Sequence, residues 1–305
     1  MTNNLDFIGD IHGHYDALVS LLEKMGYEPR KGSFLHPEGR KVIFVGDFID
    51  RGPKIRETLH LVRNMCERGD ALAVMGNHEF NAICFHTKRR DGHGYYRSHS
   101  ETKVHQHRET IEAFRNHSQE WTGFLDWFKE LPIYLDLGEF RAVHAFWQNE
   151  HVDWIKRNNP RFDHDFLQSA TDRENSDGVY RIVEELLKGP EIEIPEGHHF
   201  LDKDGHPRKE ARLKWWAPEQ SRSTLGDILV KCPIQISNSI VPNTIQCPEY
   251  SDNIPVFFGH YWLDGTPIIE NENAICLDYS VARGGVLVSC RMTKSQARPR
   301  MELIF

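Results

Sequence analysis

No apolar run in the sequence approaches the length of a membrane span. The N-terminal residues also lack the basic stretch followed by an apolar stretch that marks a secretory leader. Basic residues are in deficit, 37 Lys and Arg against 45 Asp and Glu, for a net charge of −8. That deficit argues against a general grip on nucleic-acid backbones, which needs a cationic surplus. It leaves room for a local basic pocket. None of the six cysteines, at 66, 84, 232, 247, 276 and 290, has Cys-x-x-Cys spacing. Several sit in apolar stretches, such as Cys276 in Ala274–Leu277, and read as reduced packing residues of a cytoplasmic protein. Repeats, low-complexity segments and a convincing linker are missing as well. The chain is therefore expected to form one domain over 1–305, long enough to bury a core without disulfide staples.

What is present first is alternation. Leu5–Ile8, Lys41–Val45 and Ala71–Met75 are short apolar runs, each followed by glycine. Between them, Tyr15–Met25 carries Leu18, Leu21, Leu22 and Met25 at helical spacing, and Pro53 opens a second helix with Ile55, Leu59, Val62 and Cys66 on its inner face. Strand–helix–strand order of this kind predicts a parallel sheet covered by helices. Residues 86–117 are polar, rich in Arg and His, and read as an inserted excursion, a solvated lid near a cleft. Trp121–Glu130 is expected to be helical, and Ile133–Leu137 with Phe140–Val143 a hairpin. In the less legible stretch 148–250, Ser176–Lys188 has an amphipathic helical pattern. Strands are expected at Pro255–Phe258, Ala274–Leu277 and Val286–Arg291, with Arg298-Pro299-Arg300 in a tail.

One pattern recurs: an apolar strand runs into glycine and then into a residue of metal-ligand type. It stands as Phe7-Ile8-Gly9-Asp10, Phe44-Val45-Gly46-Asp47, Val74-Met75-Gly76-Asn77 and Phe257-Phe258-Gly259-His260, with Ala142-Val143-His144 as a variant. Taken singly, an Asp after a strand is usually a helix cap, Asn77 a turn residue and His144 or His260 a core histidine. Together they place Asp, Asp, Asn, His and His at five strand ends, where α/β proteins commonly form their binding crevice. His12 lies two residues after Asp10 and can turn to the same point. Carboxylate, imidazole and amide oxygen without thiolate suit Mn, Fe or Zn. Asp47 is the natural bridge between two ions roughly 3.5–4 Å apart, which can activate a water and polarise a phosphoryl oxygen.

These residues resemble the calcineurin-like metallophosphoesterases, and more narrowly the phosphoprotein-phosphatase branch with its bacterial relatives. The signature stands here as Gly9-Asp10-Ile11-His12-Gly13, Gly46-Asp47-Phe48-Ile49-Asp50-Arg51-Gly52 and Gly76-Asn77-His78-Glu79, followed by Val143-His144 and Gly259-His260. The likeness is good over residues 5–85, moderate over 133–147 and 256–291, and slight over 86–130 and 148–250. It implies an α/β, four-layer fold, a central β-sandwich flanked by helices, with a lid-like insertion at about 86–130. It also implies two divalent metal ions, Mn²⁺ ahead of Fe or Zn. Asp10, His12, Asp47 and His260 would hold the first, and Asp47, Asn77 and His144 the second, with His260 in the second site as the other arrangement. His78 would protonate the leaving group with Asp50 holding its ring, and Arg51 would grip the phosphate. A second phosphate-binding arginine is expected between the late histidines, where Arg208 and Arg212 are the candidates and Arg212 the choice.

On this reading the protein is a phosphatase acting on phosphate monoesters, with a phosphoserine, phosphothreonine or phosphotyrosine protein as substrate. A dinucleoside tetraphosphate hydrolase is the alternative; Cys276-Leu277-Asp278-Tyr279 followed by Gly284-Gly285-Val286 resembles a segment of bacterial dinucleoside tetraphosphatases and of bacterial protein phosphatases alike. A silent scaffold would be expected to have damaged ligands, and a nuclease would have no need of Asp50-Arg51. Neither membrane nor general nucleic-acid binding is expected. His105 and His107 alternate as they would on one strand face, a weak pointer to a third metal site. Tyr95, Tyr96, Trp147, Trp215 and Trp216 are expected mainly to pack.

Overall fold

Leu5–Ile8, Lys41–Phe44 and Ala71–Ala73 pair in parallel, as their apolar, glycine-terminated runs predict. The structure is a computed structural model that describes residues 4–175, 178–195, 198–201, 207–293 and 300–305. Leu5–Ile8 extends the sheet on its other side by an antiparallel pairing with Ser289–Thr293, which pairs in turn with Arg300–Ile304. The sheet is thus mixed rather than wholly parallel. Arg300, expected in a tail, begins its edge strand, because Met301 and Leu303 pack against the adjoining core. Arg298 and Pro299 lie outside the described residues, as do Ser176 and Asp177. The amphipathic helix itself spans Val179–Lys188.

A second sheet runs in the order Ala274–Cys276, Val256–Phe258, Arg141–Val143, Tyr134–Asp136. Its first three strands are parallel, and the expected hairpin forms its edge. The two sheets face one another across a core of Phe7, Ile43, Val74, Phe140, Phe257 and Ile275. The Phe7 and Phe257 rings stack at 3.7 Å. On the outer faces the Tyr15–Lys24 and Ile55–Glu67 helices join the main core through Leu18, Leu22, Leu59 and Val62, all fully buried. This is the expected sandwich flanked by helices. The run read as Val286–Arg291 is divided. Val286–Leu287 pairs with Asp278–Tyr279, and Ser289–Thr293 joins the first sheet.

The insertion does not behave as one lid. Its last helix, Ser118–Glu130, buries Trp121, Phe124, Trp127 and Phe128 in the main core and is scaffold. The short helices Glu101–Gln106 and Arg108–Ala113 precede it, and Gln106 and His107 line the cleft described below. Farther along, Glu191–Glu193 pairs with Glu210–Arg212 over a small core of its own, with Ile194, Leu213, Leu225 and Ile228 inside.

Candidate metal centre and active site

The predicted donors gather in one buried region, Asp10 through its contact with the His260 amide rather than within either group of close donor atoms. The strands ending near Ile8, Phe44, Ala73, Val143 and Phe258 lead into turns that bring Asp10, His12, Asp47, Asn77, His144 and His260 together, every one buried. Backbone shape makes this possible. Six of the nine non-glycine residues with positive φ among those described are His12, Asp47, Asp50, Arg51, His260 and Trp262. The glycines before the donors serve close approach: a Cβ on Gly76 would overlap Asp47 Oδ1, and one on Gly259 would overlap Asp10 Oδ1.

Asp47 Oδ2 sits at the centre, 3.6 Å from His12 Nε2, 3.3 Å from His144 Nε2 and 4.0 Å from His78 Nε2. His12 donates from Nδ1 to the Ile49 carbonyl at 2.9 Å, and His144 from Nδ1 to the Val45 carbonyl at 2.7 Å. Both rings therefore aim Nε2 inward, the second-partner arrangement that fixes a metal-ligating tautomer. His144 Nε2 lies 3.1 Å from Asn77 Oδ1. Asp10 Oδ2 accepts from the His260 amide at 3.0 Å.

The donor set fits divalent ions on its own terms. Asp10 Oδ1, His12 Nε2 and both ring nitrogens of His260 are buried polar atoms with no hydrogen-bond partner among the described residues, a costly arrangement unless another group meets them. Burial pushes the Asp10 carboxyl well above the ordinary range, and the charges of Asp278 and Asp47 add to it. At Asp47 burial is outweighed by His144 and His78, and the carboxyl lies well below that range. Burial, with His78 nearby, pushes His12 down to about 3, so its lone pair stays available at neutral pH. Cations among these groups would relieve both the crowded carboxylates and the orphaned nitrogens.

Two groups of possible ligands have their donor atoms within 4.8 Å of one another: His12, Asp47 and His78, and Asp47, His144 and His260. His260 therefore stands with His144 rather than in the first set with His12. The cause is topological: their strands are neighbours in one sheet, and the Gly259 amide donates to the His144 carbonyl. Among the described residues no third group has this geometry. His105 and His107 close a helix instead of sharing a strand face, and His105 is exposed.

His78 Nδ1 and Asp50 Oδ2 lie 2.5 Å apart, which leaves Nε2 facing the cluster. Asp50 is itself held on its other oxygen, by His107 Nδ1 at 2.7 Å and Thr110 Oγ1 at 2.6 Å. Burial raises its carboxyl, but His107 and His78 outweigh it and hold Asp50 well below the usual range. His86 continues the line, its Nε2 3.1 Å from His107 Nε2. Arg51 lies over the Trp262 ring at 4.4 Å, and Arg283 lies over the same ring at 4.5 Å. Arg212 reaches the His260 carbonyl at 3.3 Å and Glu191 at 3.5 Å, and both Arg212 and Arg208 line the cleft.

Glu79, Trp262 and Asp278 were not given roles by the sequence. Glu79 is fully buried and accepts from the amides of Asp47, Phe48 and Gly76 at 2.9, 2.8 and 3.0 Å, pinning the Asp47 turn. Burial and Asp47 push its carboxyl up to about 8. An acid three residues into a helix is a capping signal and could have been read as one. Trp262 is set by Asp278, which accepts from its amide at 2.7 Å. Of the aromatic residues singled out, Trp147, Trp215 and Trp216 are core, and Tyr96 lines the cleft.

Fold and cluster together define a class: a two-sheet α/β scaffold that gathers carboxylate, imidazole and amide donors for divalent ions at its strand ends. The chain belongs to the calcineurin-like phosphoesterase family, whose model matches residues 4–260. It is 35% identical over 140 residues to the bis(5'-nucleosyl)-tetraphosphatase PrpE [asymmetrical] of Halalkalibacterium halodurans, covering 45% of this chain and 54% of that protein. The namesake from a Geobacillus species is 36% identical over 152 residues, covering 48% and 59%. The chain thus spans just over half the length of these relatives. Among solved structures, the cold-active protein-tyrosine phosphatase of a psychrophilic Shewanella superposes with a TM-score of 0.50 at 14% identity, over 100% of this chain and 81% of that one, a likeness of fold. Among the described residues no helix is long and apolar enough to cross a membrane.

Proposed function

We propose that the protein hydrolyses phosphate esters and anhydrides, and that its substrates are dinucleoside polyphosphates. The observation that carries this is the cleft opening from the cluster. It has a volume of about 570 Å³ and is lined by seven arginines and lysines against four carboxylates, in a chain whose net charge is −8. Such a local reversal of charge suits a polyanion longer than one phosphate. The tetraphosphatase relatives support that order, whereas the sequence alone puts a protein phosphatase first.

Asp10, His12 and Asp47 would hold one divalent ion, and Asp47, Asn77, His144 and His260 the other, with Mn²⁺ suited to this donor set. When bound, such a pair supplies a water of roughly neutral pKa and charge to neutralise the phosphoryl oxygens. The remaining work falls to the chain. Arg51, steadied against Trp262, orients the phosphate through its planar fork, and Arg212 approaches from the His260 side. His78 delivers a proton from Nε2 to the departing oxygen while Asp50 holds its ring.

A monoester reading is favoured by one specific feature, the His78–Asp50 pair. A serine or tyrosine oxygen needs a proton as it leaves more than a nucleoside phosphate does. Steady-state turnover of diadenosine tetraphosphate against phosphoserine and phosphotyrosine peptides, by the Mn²⁺-loaded protein, decides between them. A higher kcat/KM for the tetraphosphate is expected, and turnover of the peptides alone would replace this reading with the other.

A further inference from the structure

The segment 95–99 is fastened along the helix Asn77–His86. The Tyr96 amide donates to the Thr87 carbonyl, and the Arg97 amide to the Cys84 carbonyl at 3.0 Å. His99 stacks between Phe85 and Tyr95 at 3.9 and 4.0 Å, with Nε2 2.8 Å from the Phe85 carbonyl. This platform presents the Arg97 guanidinium to the cleft. Its position is fixed by two neutral amides, Asn81 Oδ1 at 2.7 Å and Gln106 Oε1 at 3.1 Å. Asn81 lies four residues after Asn77 on the same helix face, so Arg97 is held roughly 6 Å along the helix from the metal-site amide. Gln106 adjoins His107, which holds Asp50.

Among the described residues Arg97 has no carboxylate within ion-pair distance, and neither does Lys103, which lines the same wall. The nearby Glu184 is engaged by Lys188 at 2.6 Å. Both cations are partly withdrawn from water. Burial pushes Lys103 down to about 8, and the charges of Arg97, Lys188 and Arg208 push the same way. Burial likewise lowers Arg97. Partly buried, mutually repelling cations without a carboxylate partner are stabilised when an anion enters between them.

We infer that Arg97 and Lys103 form a second phosphate subsite, which binds a phosphoryl group of the substrate beyond the one being attacked and makes the cleft selective for polyphosphate chains. The inference rests on the reading of the neighbouring cluster as a phosphate-processing centre and deepens it. The subsite belongs to the inserted segment, not to the strand-end turns. It would therefore set chain-length preference separately from the chemistry.

The test is calorimetric titration of the Mn²⁺-loaded protein, at matched free Mn²⁺, with inorganic phosphate and with inorganic tripolyphosphate. The wild type is expected to bind tripolyphosphate more tightly than phosphate. Arg97→Gln and Lys103→Gln should each shrink that ratio of affinities by about 10- to 100-fold, the range for one lost charge-assisted bond. Each variant's own affinity for phosphate serves as its folding and loading control. A wild-type ratio near one overturns the subsite. So does a ratio unchanged in both variants, or a fall in phosphate affinity that matches the fall for tripolyphosphate. Turnover of diadenosine tetraphosphate is scored separately. If the ratio collapses as expected while the wild type does not turn over that substrate, the subsite stands and the dinucleotide reading falls. Turnover with an unchanged ratio has the opposite meaning.

Discussion

The two walls of the cleft are made in different ways. On one, Asp10, His12, Asp47, Asn77, His144 and His260 are buried at the ends of strands, and the backbone itself is bent to aim them. On the other, Arg97, Lys103 and Arg208 are half-buried or exposed and project from the insertion and from the small unit around residues 190–247. Donors for a metal must meet within tenths of an ångström, and turns on a packed sheet provide that. Cations for a polyanion act over longer distances and tolerate flexible stems. The difference suggests that the reaction and the choice of substrate are separable properties of this chain.

That separation can be broken at its strongest point first. Asp47→Asn removes the central carboxylate, and activity should fall by roughly 10³-fold or more on every substrate, with bound metal falling in parallel by elemental analysis. Retained metal and activity would remove Asp47 from the centre. His78→Ala should keep its metal yet lose about 10²–10⁴-fold on alkyl phosphates, and much less on p-nitrophenyl phosphate, whose leaving group needs no proton. Equal losses on both would contradict a proton-donating role.

A third substitution separates site from scaffold. Asp6 is the second residue of the strand that ends beside Asp10, and its fully buried carboxylate is met by Arg40 at 2.8 Å and Arg291 at 3.0 Å. Burial pushes this carboxyl up, but the two arginines outweigh it and hold the folded pKa below 3.8. A depressed carboxylate stabilises the fold at pH values above its unfolded pKa, and the contribution is lost as pH falls through the folded value. Asp6→Asn should therefore cost about 3 kcal/mol in urea unfolding at pH 7. The gap to wild type should narrow below about pH 4, with kcat unaffected throughout. The smallest effect is expected at Arg212, where Ala should raise KM about tenfold on any phosphate substrate and leave metal content alone.

The convergence of candidate donors on one wall was legible in the sequence because its signal is local. Each of the four instances of apolar strand, glycine and donor is complete within four residues, and together with the glycine-free variant at His144 they outweigh the ordinary reading of each. The grouping of His260 with His144 was not fixed by that signal, since it depends on which strands are neighbours. The role of His107, singled out only as a weak pointer to a third metal site, was hidden for a similar reason. It lies in a polar segment without an apolar helical period, and its meaning comes from Asp50, 57 residues away. Trp262 sits just past a motif, but its value lies in the guanidiniums on its ring, Arg51 and Arg283, which come from distant parts of the chain. The stretch 148–250 gave little because its small core is assembled from scattered apolar residues, Ile194 to Ile236, without a run long enough to show a period.

The bent turns beneath the donors carry a consequence for how such a protein can change. Non-glycine residues held at positive φ cost of order 1–3 kcal/mol each, and six of them cluster here. A laboratory selection that rewarded heat tolerance alone would find gains at these positions, three of them donors and three their neighbours in the cleft, by replacing them with residues that the backbone accepts more readily. The winners would be robust and inert. Durability and activity would have to be screened together, since in this chain they compete for the same few residues.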